Sequence, residues 1–180
     1  MSKINYPIRF QPIPVEKIWG GTYLAKKLRK PFEKNNTIGE SWEISAVPGK
    51  ISRVFNGSLK GVLLTDLIET YQSDLLGKSV YEKFNSEFPL LIKFLDAQKD
   101  LSIQVHPNDE LAREKGVPFG KSEMWYILEA EESAELIKGF NRSTSKDMFE
   151  LAIIANSANQ FYKHHRVEKN NTFYITAGTI

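Results

Sequence analysis

Polar and apolar positions alternate along LSIQVH. Leu101, Ile103 and Val105 fall on one side, and Ser102, Gln104 and His106 on the other. Successive side chains of a strand point to opposite faces, so this period of two predicts a strand with one buried face. Pro107 lacks the N–H a ladder needs and ends it. The apolar run opened by Pro89, PLLIKFLDA, predicts a buried strand just before it. Ser122 to Ala130 predicts another, with Lys121, Glu123 and Trp125 on a shared face. SWEISA (Ser41 to Ala46) reads as a strand, Pro48-Gly49 as a turn, and ISRVFN (Ile51 to Asn56) as its hairpin partner. RVEKNNTFYITAG closes the chain as a predicted hairpin, with Asn170-Asn171 suited to positive φ at the turn.

Helical spacing takes over elsewhere. Leu67, Ile68, Tyr71, Leu75 and Leu76 predict a helix over Thr65 to Leu76, capped by Thr65 or Asp66 and stopped by Gly77. TYLAKKL (Thr22 to Leu28) suits a short helix. Asn108 and Asp109 are caps for ELAREK, which Gly116 stops. Met148, Phe149, Leu151, Ala152, Ile153 and Ala155 predict one or two helices over Ser143 to Phe161, capped by Ser143 or Thr144. Pro7, Pro12, Pro14 and Pro31 break the first forty residues into irregular and strand-like pieces. No repeat or linker interrupts the chain, so a single domain over 1–180 is expected, with the helical stretch at about 143–161 as an insertion.

Composition narrows the chemistry. The 180 residues are 41% hydrophobic and 26% charged, as in a globular domain with a real core. A net charge of +2 from scattered basic residues does not suggest nucleic acid, and a small anion suits it better than a polymer. There is no apolar run of membrane-spanning length and no signal-like N-terminus, so no membrane partner and a cytoplasmic location are expected. The chain has no cysteine, which leaves only nitrogen and oxygen donors for any metal.

Gln104 and His106 are such donors. Side chains at i and i+2 on a strand lie roughly 6.5–7 Å apart on one side and can reach one ion. Glu123 follows on the next predicted strand. Imidazole and carboxylate suit zinc or another first-row divalent ion. A neutral Gln ligand leaves charge on the metal for Lewis-acid work. By itself, though, a Q-x-H strand is usually a structural or surface feature. Lys121 alone reads as a solvated lysine. Lys93 stands inside an apolar run and calls for a partner, for which Asp96 is a candidate. The tryptophans read as core residues on general grounds, His164-His165 as a solvated helix end, and AEESAE (130–135) as an acidic loop.

PLLIKFLDAQKDLSIQVHPND followed by GKSEMWYIL closely resembles the type I phosphomannose isomerases of the cupin superfamily. KIWGG (Lys17 to Gly21), GESWEIS (Gly39 to Ser45) and RVEKNNTFYITAGTI resemble further motifs of that family. The resemblance implies a mainly β, cupin-type jelly-roll barrel with inserted helices. It implies one zinc per chain on Gln104, His106 and Glu123, with a fourth ligand, a His, just after Ile180. It assigns Lys93, Ser102 and Lys121 to substrate phosphate and sugar and puts Trp19 and Glu40 in the pocket lining; Lys121, on the same predicted face as Glu123, is the candidate catalytic residue. Because the family fold continues past Ile180, the chain is expected to be truncated.

The implied reaction interconverts mannose 6-phosphate and fructose 6-phosphate, moving a proton between C1 and C2. Negative charge develops on the two oxygens, and a cation aimed there lowers the barrier. Lys121 would add positive charge or a proton, or act as a base if neutral. The rival expectation is a non-catalytic sugar-phosphate-binding cupin module, or an inactive fragment. The sequence carries no sign of oligomeric state.

Overall fold

The computed structural model describes residues 4–33, 35, 37–117 and 119–180. They form two compact units, residues 1–101 and 102–180. Strands frame both and helices occupy the connections. The mainly β fold with inserted helices is therefore the one the chain adopts.

In the first unit, β1 (Ile13–Gly21) leads through α1 (Tyr23–Lys26) to β2 (Ile38–Ile44). Next come α2 (Leu64–Tyr71), α3 (Ser73–Leu76), α4 (Lys78–Phe84) and β3 (Ile92–Leu95). The strands make an antiparallel sheet in the order β1-β2-β3. As the central strand, β2 buries Ile38 through Ser41, while the outer strand β1 alternates half-buried and exposed positions until Trp19. The core gathers Trp19, Leu24, Ile38, Val54, Leu64, Leu67 and Ile68. Near Gly20 and Gly39 the two strands approach so closely that a Cβ on Gly20 would strike the Gly39 backbone. A Cβ on Gly39 would strike the side chains of Lys17 and Trp19. The glycines of KIWGG and GESWEIS thus serve close strand approach.

The second unit holds α5 (Asp109–Glu114), β4 (Glu123–Tyr126), β5 (Glu135–Phe140), α6 (Lys146–Ile154), a 3₁₀ turn (Ala158–Phe161), β6 (Tyr162–Arg166) and β7 (Thr172–Ile175). Antiparallel pairing joins β4 to β7 and β5 to β6. Leu136, Ala152, Phe161, Tyr162 and Val167 are buried. Phe149 of α6 meets Phe140, Phe161 and Tyr162 edge-on.

Several sequence expectations need correction. LSIQVH is not a strand. No ladder partner flanks it among the described residues, and Ile103 and Val105 are 44% and 54% exposed rather than core. Ile51 to Asn56 does not form a hairpin with β2, because β1 and β3 already occupy both its edges. Ser52 meets the end of that strand, exchanging bonds with Ser45. The helix expected over Thr65 to Leu76 breaks at Gln72, whose φ is 47°. It begins at Leu64 with no side-chain cap, while Gly77 does end α3. Apolar spacing is the same for one helix or two short ones, so the break left no trace in the pattern. The cap of α6 is Ser145, whose hydroxyl accepts from the Met148 N–H.

The expected closing hairpin is also absent. Asn170 does take positive φ, 72°, but its turn passes the chain from β6, paired with β5, to β7, paired with β4. Asn170 N–H donates to Ile127 C=O and Ile127 N–H donates to Asn171 C=O, which fixes that switch. His164 and His165 therefore lie on a strand, not a helix end. Glu135 of the supposed acidic loop opens β5.

Candidate functional site

In the second unit, His106, Lys121 and Glu123 converge. β4 begins at Glu123, and its pleat keeps Glu123 and Trp125 on the half-buried side. The Trp125 indole donates to the Glu123 carboxylate at 3.3 Å. Lys121 Nζ lies 2.9 Å from Glu123 Oε1 and 3.1 Å from His106 Nε2. An ammonium only donates, so Nε2 accepts and the ring proton sits on Nδ1. His106 Nε2 and Glu123 Oε2 are 3.7 Å apart.

Without a strand to carry it, the His106 segment is held by other bonds. Lys121 N–H donates to Pro107 C=O at 3.0 Å, and Gly120 N–H to the Asp109 carboxylate at 2.8 Å. Asn108 caps α5 through the Leu111 N–H. The turn Thr176–Thr179 spans both halves of the site. Gly178 N–H donates to His106 C=O at 2.8 Å, and Ala177 N–H to Ser122 Oγ at 3.1 Å. A groove of about 560 Å³ opens beside His106, lined also by Glu110, Leu111, Lys115 and Gly178.

Burial pushes the Glu123 carboxyl up. The hydrogen bond and charge of Lys121, the positive charge on His106 when protonated, and the Trp125 hydrogen bond outweigh it. The net result lies below the usual carboxylate value. The site thus favours the carboxylate form of Glu123. Two ligands of one tetrahedral ion, each about 2.1 Å from it, lie roughly 3.4 Å apart. The observed 3.7 Å and the cation already lodged between these donors fit a divalent ion. Among the described residues no three of His, Cys, Asp and Glu converge on one point. The candidate set has two of these types and adds the amide of Gln104, which is exposed.

The first unit has its own cluster. Glu40, buried on β2, sits 3.2 Å from Lys93 Nζ on β3 and 3.8 Å from Lys17 Nζ on β1, and the Trp42 indole donates to it. Burial raises its pKa, but the Trp42 bond and the two lysines bring it net below the usual value. The partner of Lys93 is therefore Glu40, not Asp96. Asp96 accepts from Tyr23 N–H and the Gln98 amide. Trp19 is buried, and Ser102 is exposed and outside any element.

Lys17, Trp42 and Ser122 escaped the sequence reading. The alternation of KIWGG carried a signal for the first, since Lys17 shares the inward side of β1 with Trp19. Ser122 is an ordinary strand-flanking serine in sequence, and only the fold shows it receiving a bond from Ala177.

Residues 8–141 match the family model described as phosphomannose isomerase type I, catalytic domain. The chain belongs to this family. It is 37% identical over 177 residues to mannose-6-phosphate isomerase ManA of Bacillus subtilis, covering 97% of this chain and 53% of that protein. With the mannose-6-phosphate isomerase of Streptococcus mutans it shares 38% identity, covering 97% and 53%. The crystal structure of the Bacillus subtilis mannose 6-phosphate isomerase superposes with a TM-score of 0.86 at 35% identity, covering 96% of this chain and 53% of that one. The mainly β, cupin-like fold of the family is thus shared. The chain spans about half the length of these relatives.

Proposed function

We propose that the chain carries machinery of a metal-dependent aldose–ketose isomerase that interconverts mannose 6-phosphate and fructose 6-phosphate. The convergence of His106, Lys121 and Glu123 within 2.9 to 3.7 Å, in a chain of the phosphomannose isomerase family, carries this reading. His106 Nε2, the Glu123 carboxylate and the Gln104 amide would hold one divalent ion. Zinc is the favoured identity, since nitrogen and oxygen donors suit it, and other first-row divalent ions fit the same set. When bound, the ion supplies positive charge for oxygens that become negative as the proton moves between C1 and C2.

The chain's own groups do the rest. Lys121 adds positive charge or a proton beside those oxygens or, when neutral, takes one. Lys93 is assigned to the phosphate, as is Ser102. Glu40 and Trp19 belong to sugar binding, with Glu40 acting through Lys93, whose ammonium it holds. The assignment covers 1–180 as one functional domain. A cytoplasmic setting belongs to the same proposal, since charged sugar phosphates do not cross a bilayer unaided. Among the described residues no helix is long and apolar enough to cross a membrane.

A coupled isomerase assay run beside metal analysis tests the proposal. Turnover of mannose 6-phosphate with metal bound, falling sharply in Lys121→Ala and Gln104→Ala, is the expected result. Near-normal turnover in either variant contradicts that residue's role. Sugar-phosphate binding without metal or turnover favours a non-catalytic sugar-phosphate-binding module instead.

A further inference from the structure

We propose that Lys121 is the placeholder of the metal site: its ammonium fills the cation position between His106 and Glu123 until a divalent ion displaces it. The inference rests on the metal reading above and adds to it how the site exists before loading. Glu123 is a carboxylate whose side chain is 17% exposed, and it faces an imidazole nitrogen 3.7 Å away. Both groups are hydrogen-bond acceptors in this arrangement, so side by side they repel unless a cation or donor lies between them. Lys121 Nζ supplies one, 2.9 Å from the carboxylate and 3.1 Å from the imidazole. Charge-assisted bonds of this kind are the strong ones.

The three groups differ in how firmly they are anchored. Glu123 lies on β4 under the Trp125 indole, and His106 is tied through its carbonyl to Gly178. The Lys121 ammonium stands at the end of a flexible four-carbon stem, with its side chain 43% exposed. It can leave for water while the other two stay. The metal-free chain therefore keeps its two donors close together, and loading the ion costs the two contacts of an ammonium rather than a rearrangement of the backbone. The same exchange frees the ammonium assigned to catalysis, so lysine deployment follows metal loading.

The test compares zinc affinity, measured by competition with a chromophoric chelator, with urea midpoints of the metal-free and zinc-loaded chain. Wild type, Lys121→Met, His106→Ala and Glu123→Gln are used, with Lys121→Gln as a second neutral variant should methionine disturb folding. Lys121→Met is expected to bind zinc about tenfold more tightly. It should also lower the midpoint of the metal-free chain without lowering that of the loaded chain. Unchanged or weaker affinity overturns the placeholder. Tighter binding with an unchanged metal-free midpoint overturns it too, because repulsion through space then accounts for the gain. If zinc binds wild type no better than His106→Ala and Glu123→Gln, the metal reading itself fails, which is a distinguishable result.

Discussion

Glu40 and Glu123 stand in the same local motif. Each is a strand glutamate followed two positions later by a tryptophan whose indole donates back to it, and each has a lysine near 3 Å. They differ in what closes the other side. Glu40 lies on a central strand, and its lysines reach it from both neighbouring strands. Glu123 takes its lysine from two residues upstream and faces His106 on a segment with no strand partner among the described residues. A carboxylate enclosed by paired strands is locked. One facing a loop imidazole, with an exposed lysine between them, is exchangeable. The same motif thus gives a structural anchor in one unit and a loadable site in the other.

The largest expected effect is on the anchor. Glu40→Ala leaves two lysines and an indole without their acceptor, and should cost about 3 kcal/mol of stability in urea denaturation. Glu123→Ala in the metal-free chain should cost about 1 kcal/mol or less, because its lysine partner is well hydrated. Equal losses would erase the contrast. Next comes Gly39→Ala. Its Cβ collides with Lys17 and Trp19, and overpacking of this kind costs about 1–3 kcal/mol. An unchanged midpoint would show that the strands can separate freely there.

Acid should expose the anchor as well. The folded-state pKa of Glu40 lies below its ordinary value of 4.5. Its contribution is therefore fully present above about pH 4.5 and is lost as pH falls through the lower folded value. Wild type should lose more stability than Glu40→Gln over that acidic window, and parallel curves would contradict the assignment. The smallest effect belongs to Ser122→Ala. Losing the bond from Ala177 should lower stability by about 0.5–1 kcal/mol. It should also weaken zinc binding several-fold through the looser turn. Unaltered zinc affinity would remove Ser122 from the site's support.

How much of this was legible in sequence follows from what each signal measures. Alternation placed Glu123 and Trp125 on one face of β4, since one-sided burial writes period two directly, and the apolar run PLLIKFLDA marked β3. Alternation misled at LSIQVH, an alternating segment that joins no sheet among the described residues. It also misled at the C-terminus, where a turn suited to a hairpin instead passes the chain between two sheets. Partner choice is a long-range property, and local pattern does not encode it. The candidate residues His106, Lys121 and Glu123 were found from motif and resemblance. That an ammonium stands between the other two is a matter of distances. Lys93 was read as needing a partner, and the nearer carboxylate proved to be one 53 positions away.

X-ray absorption at the zinc edge, on the zinc-loaded chain, tests the central claim most directly. The chain has only three histidines. The account predicts a shell of one imidazole with oxygen donors, lost in His106→Ala. A shell with two imidazoles, or one retained in His106→Ala, would bring in His164 or His165 and contradict the site described.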